Sequence, residues 1–339
     1  MINNRASSPV RLLIAAGAAI IILAGMREAA GFVGLIILAI FLAVLGTPVI
    51  EWFERRRVPK WAALTLVIFL VVVLFFALLA LFAFSFIQWS SSVSTYDDEL
   101  RTGVTGLQTW LGSRGIDLSV QSFLPAGTSL INVITALLRR ASSALLSFFV
   151  VVISTSFLLL EVSRIRSKLA TGLGLQSGNP VLAQLTGFRT DLIEFVVVRI
   201  KVNAIAGILV TVLLLLLGVP LALLWGVLFF LLGFIPYIGF IVATIPPTFL
   251  ALLQYGPLGA IIVLIGILIL NGIVEYVVFP QWSGVKLNLS PFVVFISVIF
   301  WDLILGPLGA LLSVPLTLLL QRLLLSFDET RWLANLMAT

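Results

Sequence analysis

Residues 202–274 contain no Asp, Glu, Lys or Arg, an uncharged run of 73 residues. A soluble domain cannot sustain this, because about a quarter of its residues are charged. The run is more than three times the ~20 residues that cross a bilayer as helix, so it must lie in lipid and fold back on itself. Yet it is not uniformly helix-forming. Gly233–Pro247 reads GFIPYIGFIVATIPP, with three prolines and two glycines. Proline removes a backbone donor and glycine weakens a helix. Hydrocarbon offers no partner for the groups such breaks set free. The helix breaks where breaking costs most, and that demands a reason.

The rest of the chain has the same character. Of 339 residues, 61% are hydrophobic and 10% charged. The apolar runs are continuous rather than alternating, which excludes a membrane β-barrel. The expected fold is an all-α, polytopic integral membrane protein with about eight transmembrane helices. There is no Cys and no His. Disulfides, thiolate chemistry, His-ligated metals and any Ser–His or Cys–His pair are therefore excluded. No phosphate-binding GxxxxGK[ST] loop occurs. Trp282-Ser283-Gly284 holds a serine in a turn, but nothing can activate it. No enzyme activity, cofactor or metal is expected. The net charge of +6 is small for the length. It reads as a topology signal in a lipid bilayer, with no nucleic-acid partner.

Along the chain, Val10–Met26 and Gly31–Ile50 read as a helical hairpin, although the first alone would resemble a signal peptide. The basic loop Glu51–Trp61 and a third span, Trp61–Trp89, follow. Residues 1–89 form an expected N-terminal scaffold. Residues 90–140 hold Asp97, Asp98, Glu99 and Asp117 and read as an extracytoplasmic amphipathic cap. Residues 141–195 comprise a fourth span and a basic segment, with a fifth span starting near Phe195. Fifteen of the twenty Lys and Arg residues fall on one side if the N-terminus is cytoplasmic. The termini are thus expected in the cytoplasm. The runs Arg55–Arg57 and Arg164–Lys168 would also suit anionic lipid.

The second half repeats a unit. Pro220 and Pro236 are 16 residues apart, as are Pro291 and Pro307. Gly239 and Gly309 follow the second proline of each pair, and Pro246 and Pro315 lie in the return arms. Each arm is about 15 residues, or ~22 Å of helix, short for a ~30 Å hydrocarbon core. We read two copies of a span plus a broken hairpin, 196–253 and 257–325, with a cytoplasmic tail at 326–339. Each copy crosses the bilayer an odd number of times whether or not its hairpin arms cross. The second copy is therefore inverted, and inverted repeats with helices broken at matching places mark secondary transporters. The alternative is ordinary tight turns at the membrane surface. Further breaks are expected at Pro280 and Gly284.

Three blocks carry a resemblance: LGVPLALLWGVLFFLLGFIPYIGFIVATIPP (217–247), NGIVEYVVFPQWSGVKLNLSP (271–291) and LGPLGALLSVPL (305–316). They resemble the AI-2E transporter family, the autoinducer-2 exporter group. The resemblance spans the chain, with its specific motifs from residue 195 onward. Pro236, Tyr237, Gly239, Asn271, Glu275, Pro280, Gly284, Pro291, Gly306, Gly309 and Pro315 match the family pattern. Ser290 stands where His is common, and Trp301-Asp302 where small residues are frequent. The resemblance implies a bacterial inner-membrane transporter for an autoinducer-2-like solute, or a Na⁺(Li⁺)/H⁺ antiporter. It also implies a homo-oligomer, with a pentameric ring as the arrangement it suggests.

Ionisable residues within apolar segments are expensive and default to function. Glu275 lies one turn from Asn271, and the pair would suit a proton or a cation. It could instead be solvated or pair with Lys286. Asp302, beside the Gly306–Gly309 break, could ligate a cation, cap the return helix or face water. Tyr237 could contact substrate or anchor at the interface. Glu194, Arg199, Lys201 and Asn203 read as an interfacial ion network at the start of the fifth span. The expected pathway is thus Pro236, Tyr237, Gly239, Asn271, Glu275, Asp302, Gly306 and Gly309.

Overall fold

The computed structural model describes residues 8–81, 84, 145–161, 180–282 and 289–338. All regular structure among them is helical, so the chain is an all-α polytopic membrane protein. The expected cap at 90–140, Gly284, Lys286 and Arg164–Lys168 lie outside the described residues. Helix α1 (Ser8–Glu28) and α2 (Ala30–Arg55) form the N-terminal pair, parted only at Ala29. Helices α3 (Lys60–Leu81) and α4 (Leu145–Glu161) follow.

Helix α5 runs unbroken from Pro180 to Leu216, 37 residues. At 1.5 Å per residue it is ~55 Å long, nearly twice the hydrocarbon thickness. It begins well before Phe195 because Pro180 suits a first helical turn and no later proline interrupts it. Helix α6 (Ala222–Leu232) has only 11 residues, ~16 Å. Helix α7 (Ile238–Ile273) is two arms joined at Gly256, whose φ of 70° and ψ of −168° are open to glycine but not to other residues. A π-helical turn, Val274–Val278, and α8 (Phe279–Trp282) continue it. Then come α9 (Pro291–Leu305), α10 (Pro307–Leu311), α11 (Ser313–Leu325) and α12 (Arg331–Leu336).

Three expected breaks are corrected. Pro246 lies inside the first arm of α7, whose non-helical residue is Gly256. Membrane helices tolerate proline where local adjustment satisfies the freed carbonyl. Pro280 sits in α8 and ends nothing. The wide π turn just before it gives room for a ring that would otherwise strike the carbonyl four residues back. Pro315 lies in the first turn of α11, where a missing N–H costs nothing. Pro291 and Pro307 begin α9 and α10, and Pro220 lies in the turn before α6.

The chain forms two compact units. One comprises Met1–Trp52, Val150–Ile193 and Leu287–Thr339; the other comprises Phe53–Phe149 and Glu194–Lys286. In the first, Phe41 meets Phe188 edge to face at 6.3 Å. Arg189 pairs with Glu51 at 3.0 Å, and Arg322 pairs with Asp191. Arg322 also donates to Gln184 at 3.1 Å. In the second unit, Val210 and Leu214 of α5, Phe229 of α6, and Ala243, Ala251, Val263 and Ile267 of α7 form a core. Lipid removes the usual hydrophobic drive between helices, so close backbone approach must replace it. A Cβ on Gly207 would stand 2.6 Å from the Gly226 carbonyl oxygen, so α5 and α6 pack backbone to backbone.

Candidate functional site

Arg199 and Asn203 are four residues apart on α5 and share one face. Both are buried, while Glu194 and Lys201 point outward. The face they occupy meets the C-terminal end of α6. Asn203 Nδ2 donates to the Phe230 carbonyl at 3.2 Å, and Arg199 Nε donates to the Gly233 carbonyl at 3.0 Å. The last carbonyls of a helix have no partner within it and carry partial negative charge. A buried cation and an amide are the side chains that satisfy them. A Cβ on Gly233 would stand 2.7 Å from Asn203, so glycine lets the amide reach the backbone.

The chain then turns through Phe234–Tyr237. Ile238 N–H donates to the Pro236 carbonyl at 2.6 Å, and Tyr237 has φ 61° and ψ −52°. This is a γ-turn with positive φ at its centre, a rare and strained arrangement. For a non-glycine residue such backbone costs of order 1–3 kcal/mol and persists only where its surroundings impose it. Gly239 follows immediately, and a Cβ there would overlap the Leu232 carbonyl.

Glu275 lies in the π turn. Arg199 Nη1 donates to both its carboxylate oxygens, at 2.9 and 3.0 Å. The Arg199 side chain is 9% exposed and that of Glu275 37%. The guanidinium also lies 5.4 Å from the centre of the Phe279 ring, a favourable cation–π distance. Tyr237 is half-exposed and within electrostatic reach of Tyr276, Glu275 and Arg199. One arginine thus joins the end of α6, three residues before the γ-turn, to the π turn.

This changes the expected pairing. Glu275 meets Arg199, with no side-chain hydrogen bond between it and Asn271. The Glu275 carboxylate is drawn to the charged guanidinium of α5 rather than to the amide one turn before it. Of the four residues expected to form an ion network, Arg199 and Asn203 turn inward to the end of α6 and the π turn, while Glu194 and Lys201 are exposed. The four-residue spacing of Arg199 and Asn203, where the uncharged run begins, was the signal available.

The second hairpin, α9 to α10, belongs to the other unit. Its break is Gly306 alone, with φ 67° and ψ −155°, which caps α9 and precedes α10. Gly309 lies within α10, where a Cβ would overlap the Trp301 carbonyl. Gly239 and Gly309 therefore do the same thing in both hairpins: each lets the return arm touch the backbone of the first. Trp301 Nε1 donates to Thr317 Oγ1 at 3.0 Å in the buried interior. Ser290 Oγ accepts from the Val293 N–H at 3.2 Å, so it is the N-cap of α9. Asp302 is exposed and caps no helix, since no side chain caps α10. Among the described residues no cluster of acidic side chains could hold a metal ion.

Residues 13–328 match the family described as AI-2E family transporter. The AI-2 transport protein TqsA of Escherichia coli (strain K12) is 32% identical over 317 residues, covering 92% of this chain and 91% of that protein. YhhT of the same organism is 31% identical over 312 residues, covering 91% and 88%. A Haemophilus influenzae protein named for transport is 32% identical over 328 residues, covering 94% of each. With its broken apolar helices and the match running nearly end to end, the chain belongs to the AI-2E family of membrane transport proteins.

Proposed function

We propose that the protein is a secondary transporter that exports a small polar solute, autoinducer-2 or a molecule like it, coupled to H⁺ or Na⁺. The observation that carries this is the strained turn at Tyr237, four residues after the Gly233 carbonyl that Arg199 holds while it also grips Glu275. Irregular backbone at membrane depth is tolerated where it is enclosed by protein or lines a watery cavity. Arms of 11 and 15 residues in α6 and α9 are too short to cross, which favours two re-entrant hairpins. Their matching glycine contacts support an inverted repeat, 196–253 and 257–325, working by alternating access. The domain scheme of an N-terminal scaffold and a cytoplasmic tail goes with it. So do an inner-membrane location with both termini cytoplasmic and a homo-oligomeric state. The relative TqsA is named for AI-2 transport, which motivates the solute.

The test is solute flux from proteoliposomes loaded with autoinducer-2, under a pH or a Na⁺ gradient, with a pH-sensitive dye alongside. Saturable release that responds to one gradient supports the exporter and identifies the ion. A dye response to Na⁺ or Li⁺ without solute release assigns the protein to Na⁺(Li⁺)/H⁺ exchange instead.

A further inference from the structure

We propose that Arg199 is a positioning residue that transmits the charge state of Glu275 to the turn at Pro236–Tyr237. The proposal rests on the transporter reading and supplies the link between a coupling cation and the hairpin tip.

The geometry gives Arg199 two holds from one guanidinium plane. Nη1 grips the carboxylate of Glu275, and Nε grips the Gly233 carbonyl, three residues before Pro236. The side chain is buried. A buried arginine is stable there only while its counter-charge is present. Among the described residues, Arg199 from α5 bonds the Glu275 carboxylate, and Tyr237 from the tip lies within electrostatic reach of it. Among the described residues, Arg199 is therefore the charged partner that answers a change at Glu275.

When Glu275 binds a proton or an alkali cation, the negative charge that holds Nη1 is neutralised. The guanidinium then gains by turning toward water or another anion, and Nε leaves the Gly233 carbonyl. Asn203 keeps its hold on Phe230, so α6 stays in place while the carbonyl of its capping Gly233 is freed. The segment released is the one already under strain, the γ-turn at Tyr237. A proton and a cation act through the same step, neutralisation of one carboxylate.

The chain has no cysteine, so spin labels can be placed at introduced sites without background. Val197→Cys on α5 and Ile238→Cys at the tip are both exposed and both in the second unit. Their separation would be measured by electron–electron resonance at neutral pH in the parent protein and in Glu275→Gln, where substitution removes the charge. The expected result is a tip that moves in Glu275→Gln. In an Arg199→Gln background, Glu275→Gln should move it no further. Arg199→Lys keeps the charge but lacks the planar fork; it should fold and, combined with Glu275→Gln, show less than half of the change seen with Arg199 present. An unmoved tip in Glu275→Gln overturns the proposal, as does an undiminished change in either Arg199 background. The distances are read without any solute, so a failed flux assay would count against the transporter reading alone.

Discussion

Gly239 faces the carbonyl oxygen of Leu232 so closely that no side chain fits between them. Gly309 stands the same way against the Trp301 carbonyl. Backbone cannot retreat as a flexible side chain can, so any added methyl must push the two arms apart. Gly239→Ala and Gly309→Ala should each destabilise the protein by about 1–3 kcal/mol, the usual cost of overpacking. Gly25→Ala, where nothing lies within 4 Å, should be neutral or slightly stabilising. Thermal unfolding in detergent, followed by tryptophan fluorescence, would check this. Equal stability of Gly239→Ala and wild type would refute the packing argument.

Glu275→Gln should remove the response of flux to a cation gradient, lowering gradient-driven transport at least tenfold. Glutamine keeps the size but not the charge that holds the Arg199 guanidinium. Only the charge is lost, together with the capacity to bind a cation. Counterflow without a gradient separates coupling from binding. Full gradient-driven activity in the variant would remove Glu275 from the coupling step.

The buried pair Trp301–Thr317 offers a stability test inside the other unit. Thr317→Val leaves the indole N–H without its partner at 3.0 Å. An unsatisfied buried donor costs about 1–3 kcal/mol. Trp301→Phe also loses volume, so the informative quantity is the coupling in a double-mutant cycle. The double variant should be more stable than the two single losses added together. Strict additivity would mean the bond contributes nothing.

Ser290 caps α9 through the Val293 N–H. Ser290→Ala should cost about 1 kcal/mol, while Ser290→Asp should keep the cap and most of the stability. The same unfolding experiment reads both. Equal loss in the two variants would show that the hydroxyl does something other than cap.

Much of this architecture is legible in the sequence because lipid leaves so few choices. The uncharged run, the spacing of Pro220, Pro236, Pro291 and Pro307, and the glycines after them locate both hairpins. What fails is the assignment of breaks to individual prolines. Pro246, Pro280 and Pro315 look alike in the sequence, yet their effect depends on helix position and on whether the neighbouring turn can widen. Glu275 stands out, but its partner does not. Arg199 is 76 residues away along the chain, and an arginine at the edge of an apolar run resembles any topology signal. Only its spacing from Asn203 hints that it points inward. Tyr237 is recognisable as a tip residue, whereas its backbone conformation is not, since tyrosine has no preference for positive φ.

That conformation separates what the fold would choose from what the protein keeps. Glycine at position 237 would adopt the same backbone without strain. A laboratory selection for thermostability alone would therefore discard the tyrosine early. A selection that also demanded transport would reveal whether its phenol is the reason the strain is retained.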